Sequence, residues 1–282
     1  MDEERATPDW AHSFGGVVDA YDRARPTYPR EAAQWIVGQE AATVLELGAG
    51  TGKLTQQLVD LGHGVLATDP DQAMLDRLER NLPQISTLTA SAEELPVGDH
   101  GFDSVVAAQA FHWFDLDLAL PEIARALKRG GRLGLIWNYR DESIPWVRRL
   151  GKVIGTQEQL ADPSQAIKDS NLFGEVEDAT FTHWQQVDRK SIQDLVLSRS
   201  NVAVLDEEER AAKLAEVVEL YDGYGRGMDG MQLPYIARCF RATVVDRAAD
   251  EPEDDDAETR GAGEGPGRSD GTHTDTLLID FR

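Results

Sequence analysis

Glu46, Gly48, Gly50 and Gly52 stand at alternate positions in Glu46-Leu47-Gly48-Ala49-Gly50-Thr51-Gly52-Lys53. Backbone without Cβ atoms can approach a ligand closely, and a helix starting there points its free N–H groups at it. Asp69 follows about 20 residues past the glycines, the distance at which a carboxylate accepts both hydroxyl hydrogens of a ribose. A second group, Gln109-Ala110-Phe111-His112-Trp113-Phe114, sets one imidazole among aromatic rings. Imidazole changes charge near neutral pH and can take a proton from a reacting group. These residue types imply a nucleotide-like ligand beside a place where a proton or group is transferred.

The elements that must position them read in order. A first helix spans Glu31 to Gly38. Thr43 to Leu47, β-branched or apolar around one acid, suits a strand buried on both faces. Leu54, Leu58 and Leu61 then recur at helical spacing until Gly62. Gly64 to Asp69 is the second strand, and Pro70 suits the first turn of a helix whose core face is Met74, Leu75, Leu78 and Leu82. In that setting Asp69 could instead cap the helix. Ile85 to Thr89 is the third strand; Gly101 to Ala108, entered through Asp99-His100-Gly101, is the fourth. Leu116, Leu120, Ile123, Ala124 and Leu127 line another helix, with Pro121 in its first turn, Lys128 and Arg129 at its dipole and Gly130-Gly131 as its stop. Arg132 to Asn138 is the fifth strand. In an open parallel sheet, ligands sit beyond the carboxyl ends of the strands, which is where Gln109 to Phe114 falls.

The spacing Glu46-x-Gly48-x-Gly50-x-Gly52 resembles motif I, E/D-x-G-x-G-x-G, of the class I S-adenosylmethionine (SAM)-dependent methyltransferases. The dinucleotide fingerprint G-x-G-x-x-G would need a glycine where Lys53 stands. Phe14, Tyr21, Arg25, Pro26, Tyr28 and Pro29 match the F-G-x-x-A-x-x-Y-x-x-x-R-P-x-Y-P entry segment of bacterial small-molecule methyltransferases. Ala90-Ser91-Ala92-Glu93-Glu94-Leu95-Pro96 resembles their G-D-A-E-x-L-P loop, with Ser91 replacing the usual acid; a serine can accept a hydrogen bond from adenine, but without charge. Ala110-Phe111-His112-Trp113 also recurs in the family at this point. The resemblance, which covers roughly residues 13 to 245, implies a doubly wound α/β fold: a mostly parallel seven-stranded sheet with an antiparallel edge strand. Gly174 to Trp184 and Leu233 to Val244 would supply the last two strands, with helices at 190–200 and 206–222 as a possible lid within 190–232.

The same resemblance implies SAM as cofactor, held by Tyr21, Arg25, Glu46, Gly48, Ala49, Gly50, Gly52, Asp69, Ser91, Ala92, Glu93 and Gln109. His112 is the expected catalytic base, with Trp113 and Arg140 toward a small-molecule acceptor. A carboxylate acceptor would need no base, and Arg25 or Arg140 would then hold the anion. Two alternatives stay open: an NAD-dependent oxidoreductase on a related fold, and a SAM-binding protein without turnover.

The 282 residues suffice for one large α/β domain, and 51 acids against 28 bases give a formal charge of −23. That argues against nucleic-acid or anionic-membrane surfaces, which need clustered Lys and Arg. Apolar runs are too short to span a bilayer, and the acidic Met1 to Arg5 is unlike a secretory signal, so a cytoplasmic protein is expected. The six histidines are scattered, none pairing at ligand spacing, so no metal site is expected. Cys239 reads as a core thiol. Residues 246–282, acidic and rich in Gly and Pro, are expected to be a disordered tail after a domain at 1–245.

Overall fold

The computed structural model describes residues 22, 25–155, 162–198, 202, 205–224 and 230–245. Tyr21 and most of the entry segment lie outside these residues, as does the acidic segment 246–282, which forms the second of two units into which the chain divides.

Helix α1 (Arg30–Val37) precedes β1 (Thr43–Leu47), α2 (Lys53–Asp60), β2 (Gly64–Asp69), α3 (Gln72–Asn81) and β3 (Ser86–Thr89). Then come β4 (Phe102–Ala108), a 3-10 turn at Phe111–Trp113, α4 (Leu116–Ala126), β5 (Leu127–Arg140), α5 (Pro145–Ile154) and α6 (Ser164–Asp169). The described chain closes with β6 (Glu177–Val187), α7 (Arg189–Leu197), α8 (Glu207–Tyr224) and β7 (Met231–Thr243). The strands form one sheet in the order β3-β2-β1-β4-β5-β7-β6. All neighbours are parallel except the pairs that β7 makes with β5 and β6. The expected mostly parallel seven-stranded sheet is therefore present, and the antiparallel strand stands one place in from the edge, covered by β6. Chain order reverses between β1 and β4, and a crevice opens beyond the carboxyl ends of strands at such a reversal.

Apolar side chains cover both faces. Leu45, Leu47, Val105, Leu133, Leu135 and Trp137 pack with Leu120 and Ile123 of α4 on one side. Val44, Val106 and Ile136 pack with Ile36, Leu54 and Leu58 of α1 and α2 on the other. A third cluster joins α5, α7 and α8 through Val147, Leu150, Ile192, Leu195, Val217 and Leu220. It also takes in Leu233 and Tyr235 at the start of β7, opposite the carboxyl end of β5. The helices expected as a lid thus belong to a layer standing at the same end of the sheet as the crevice.

Several local expectations need correcting. Pro70 lies outside α3, because Asp71 caps that helix by accepting the Ala73 N–H at 2.8 Å. Pro121 sits inside α4, not in its first turn. That helix ends at Ala126, so Lys128 and Arg129 do not serve its dipole. They enter β5 instead, where Lys128 pairs with Asp103 at 2.8 Å and the register with β4 skips from Leu127 to Arg132 around Gly130-Gly131. Helix α5, with Pro at its first position, went unanticipated.

His63, between α2 and β2, is 5% exposed, and neither ring nitrogen has a hydrogen-bond partner among the described residues. Burial lowers its pKa, so the folded protein keeps the ring neutral while the unfolded chain takes up a proton below about pH 6.5. Stability should therefore fall as pH drops through that region. His63→Leu removes the titration; its melting temperature relative to wild type should be higher at pH 5.5 than at pH 8. An equal difference at both pH values would exclude this role.

Candidate active site

The three glycines of the first turn serve three needs. Gly48 has φ +65°, and a Cβ there would lie 2.5 Å from Cβ of Ala110, so it permits the close approach of the segment after β4. Gly52, at φ +89°, abuts Leu78 at 3.0 Å and lets α2 and α3 pack. Gly50, at φ +56°, has nothing among the described residues within 4 Å of its Cβ position. That space is where a ligand can meet bare backbone.

Asp69 ends β2 and holds this turn. Its Oδ2 accepts the Gly50 N–H and its Oδ1 the Asp71 N–H, both at 2.9 Å. Burial raises its pKa, partly countered by those two donors. Glu46 is 1% exposed. Its Oε2 accepts the Thr55 hydroxyl at 2.7 Å while Oε1 has no hydrogen-bond partner among the described residues. Burial, with the Asp69 charge adding to it, pushes the Glu46 carboxyl up to about 8. Glu46 is therefore largely protonated at neutral pH, and its unpartnered oxygen is a place for a ligand cation or donor.

A cleft of about 50 Å³ opens over these groups, lined by Arg25, Tyr28, Glu46, Gly48, Ala49, Gly50, Thr51, Lys53, Gln109 and Asn138 among others. Lys53, at the first position of α2, pairs with the buried Asp22 at 3.0 Å, and Arg77 of α3 holds the same carboxylate from the other side. Asp22 is thereby fastened between the start of α2 and the body of α3. Gln109 is a non-glycine residue at φ +58°. Its N–H donates to the Ile136 carbonyl at 3.0 Å and its side-chain amide to the Asn138 carbonyl at 3.1 Å. Such backbone strain concentrates at functional sites.

Gly52, Asp69, Ser91, Ala92, Glu93, His112, Trp113 and Arg140 are not among the described residues that line this cleft. Ser91 and Glu94 bridge within their loop, Ala92 is buried, and Ala90 N–H reaches the Asp69 carbonyl at 3.3 Å. Glu93 accepts the Asp115 N–H at 2.9 Å. His112 lies on the opposite face of the sheet from α1, where the Trp137 indole N–H donates to its Nδ1 at 3.4 Å. Burial pushes its pKa down to about 4, so the ring is neutral at pH 7. Trp113, its ring tilted 43° to that of His112 with centroids 4.2 Å apart, is 55% exposed. Arg140 is buried and donates to the Gly155 carbonyl at 2.9 Å and Glu142 at 3.3 Å, which ties it to the end of α5. Tyr28, Lys53 and Asn138 were missed as lining residues. Lys53 adjoins the glycine motif, but no sequence spacing marks Asn138.

Residues 45–135 match the model of a methyltransferase domain. An uncharacterized methyltransferase of Mycobacterium tuberculosis H37Rv is 41% identical over 239 residues, spanning 84% of this chain and 98% of the relative. An uncharacterized methyltransferase-like protein of Schizosaccharomyces pombe is 35% identical over 241 residues, 81% of this chain and 94% of its own length. Among solved structures, a candidate type II methyltransferase from Anaeromyxobacter dehalogenans superposes with a TM-score of 0.56 at 22% identity, over 77% of this chain and 97% of that one. At that identity the likeness speaks for the fold alone.

Two predictions follow from the turn. Gly50→Ala should cost about 1–2 kcal/mol, the price of a left-handed alanine. Gly48→Ala should cost that and about 1–3 kcal/mol more for overpacking against Ala110, read by urea denaturation. Comparable losses would show that the Ala110 contact is not limiting. For Glu46, the folded carboxyl holds a proton that the unfolded chain releases above about pH 4.5, so this residue makes stability decline as pH rises toward 8. Glu46→Gln should lack that decline, which reaches about 1.4 kcal/mol per pH unit. Its stability relative to wild type should grow from pH 5 to pH 8; a constant gap would mean Glu46 is ionised.

Proposed function

The chain belongs to the methyltransferase family, and from that premise we propose that it transfers the methyl group of SAM to a small-molecule acceptor. The observation that carries the reading is the pairing of an open, Cβ-free turn at Gly50 with two buried acids, Glu46 and Asp69, one of whose oxygens has no partner. These residues fit an amino-acid nucleoside. Each carboxylate oxygen of Asp69 keeps a lone pair for a ribose hydroxyl beyond the N–H bond it already accepts. Oε1 of Glu46 can receive an ammonium hydrogen, and the charge of that ligand favours the ionised carboxyl. Ala92, Ser91 and Glu93 stand beside the end of β2, where the base of the nucleoside would lie.

A sulfonium methyl is already electrophilic, so in-line placement of the acceptor supplies much of the acceleration. Arg25 and Gln109 at the cleft wall, with the helical layer of α5, α7 and α8 above, suit an acceptor the size of a metabolite. His112 would orient it, because its Nδ1 already takes the Trp137 proton and a neutral imidazole then has only Nε2–H to offer.

Calorimetry tests the donor. S-adenosylhomocysteine should bind and NADH should not. Asp69→Ala should weaken S-adenosylhomocysteine by about 1.5–3 kcal/mol, the range for hydrogen bonds to charged groups. Binding of NADH alone would overturn the reading. Formation of S-adenosylhomocysteine from SAM, followed across a panel of phenols, amines and carboxylic acids, identifies the acceptor.

A further inference from the structure

A third acid reaches the start of α2 from outside the glycine motif. Asp22 is 7% exposed, and Lys53, the first residue of α2, meets its Oδ1 at 3.0 Å. Arg77 of α3 holds Oδ2 through Nη2 at 3.0 Å and Nε at 3.1 Å. Asn81 donates to the same oxygen at 3.4 Å and to the Thr51 carbonyl, inside the glycine turn, at 3.1 Å. Burial raises the Asp22 pKa, but Lys53, Thr51 and Arg77 outweigh it and hold the carboxyl below its ordinary value. Asp22 is therefore a fixed negative charge at neutral pH. Its partner Lys53 lines the cleft beside Glu46, Gly50 and Thr51.

A helix that starts after a glycine turn and opens on a lysine attracts phosphate in two ways, through free N–H groups and through the cation. Here an acid answers each attraction. The Gly50 N–H goes to Asp69, and the Lys53 ammonium goes to Asp22. We propose that Asp22 is a specificity-determining residue: by taking up the Lys53 ammonium it turns phosphorylated adenine nucleotides away from a cleft that admits adenosine and S-adenosylhomocysteine. This rests on the methyltransferase reading and adds the class of ligand the site refuses and the residue that refuses it. A phosphate reaching Lys53 would lie beside the Asp22 carboxylate, and like charges repel strongly where water screens little. An uncharged nucleoside, or one bearing an ammonium, meets no such cost. Arg25 also lines the cleft and donates to the Ser198 carbonyl at 3.3 Å. Its charge is the same with or without Asp22, and Arg77 is not among the described residues of the lining. A change in phosphate affinity on removing Asp22 therefore reports on Lys53.

Adenosine and ADP share a nucleoside and differ in phosphate, so the ratio of their affinities isolates the charge. By calorimetry, wild type should bind adenosine more tightly than ADP. Asp22→Asn should tighten ADP by about 10–100-fold, the worth of one hydrogen bond to a charged group, and leave adenosine within about twofold of wild type. Asp22→Ala, which sets no amide N–H against Arg77, should show the same gain. Adding Lys53→Gln to either variant should abolish it, a result that mere loosening of the contact between α2 and α3 would not give. Wild type binding ADP as tightly as adenosine would overturn the proposal without any variant. So would adenosine tightening as much as ADP, or a gain that survives Lys53→Gln. A wild type that binds neither adenosine nor S-adenosylhomocysteine would instead overturn the methyltransferase reading, and this specificity with it.

Discussion

The bond from the Gly50 N–H to Asp69 is the constraint on which the candidate site depends. It ties the turn after β1 to the last residue of β2, and the Ala49 N–H adds a second tie to the Thr68 carbonyl at 2.9 Å. Neither tie is strong alone, since a typical hydrogen bond nets about 1 kcal/mol. Together they fix a run of left-handed glycines whose freedom would otherwise be lost only at high entropic cost. Once the turn is fixed, α2 begins at Lys53, whose ammonium meets Asp22. A single acid thus sets the floor, the helix start and one wall.

The second organising feature is the division of burial. The sheet has a helix-covered core on each face, whereas α5, α7 and α8 build a third core at its carboxyl end. Arg140 joins the two by bonding the carbonyl of Gly155 just past α5. Its buried guanidinium also lines a second cavity, with Tyr139, Asp141 and Arg238. Arg25 reaches the same layer through the Ser198 carbonyl at 3.3 Å.

Much of this was legible from residue pattern. The glycine motif, both flanking strands and the acid at 69 follow from local signals, because turn chemistry and short buried strands leave strong marks over a few residues. The aromatic run after β4 was placed correctly at the strand end, but the partners of His112 were not legible, since Trp137 is 25 residues away and meets it only through the parallel β4–β5 pairing. The contact of Asn138 Oδ1 with His183 Nε2 at 2.9 Å was invisible for the same reason: it depends on the register of an antiparallel pair closed by a long helical insertion. Pro121 misled because its missing N–H and ring are tolerated inside α4. Lys128 misled because the chain turns into a strand as soon as Ala126 ends the helix, and Asp103 claims its charge.

Charge at the turn separates the two ligand classes that share this architecture. A dinucleotide would bring a pyrophosphate to the start of α2, where a helix N-terminus, Lys53 and the cleft-lining Arg25 are the described groups that could welcome it. Lys53 is already paired with Asp22, and Glu46 and Asp69 lie buried beneath the same turn. Two phosphate charges arriving there would hold Glu46 protonated and oppose ionised Asp69, in a setting where water screens little. A ligand carrying an ammonium and a sulfonium reverses each of those signs. It draws the Glu46 proton off and gives Oε1 the partner it lacks. The buried acids that would burden a dinucleotide site are, for a cationic nucleoside, the means of holding it.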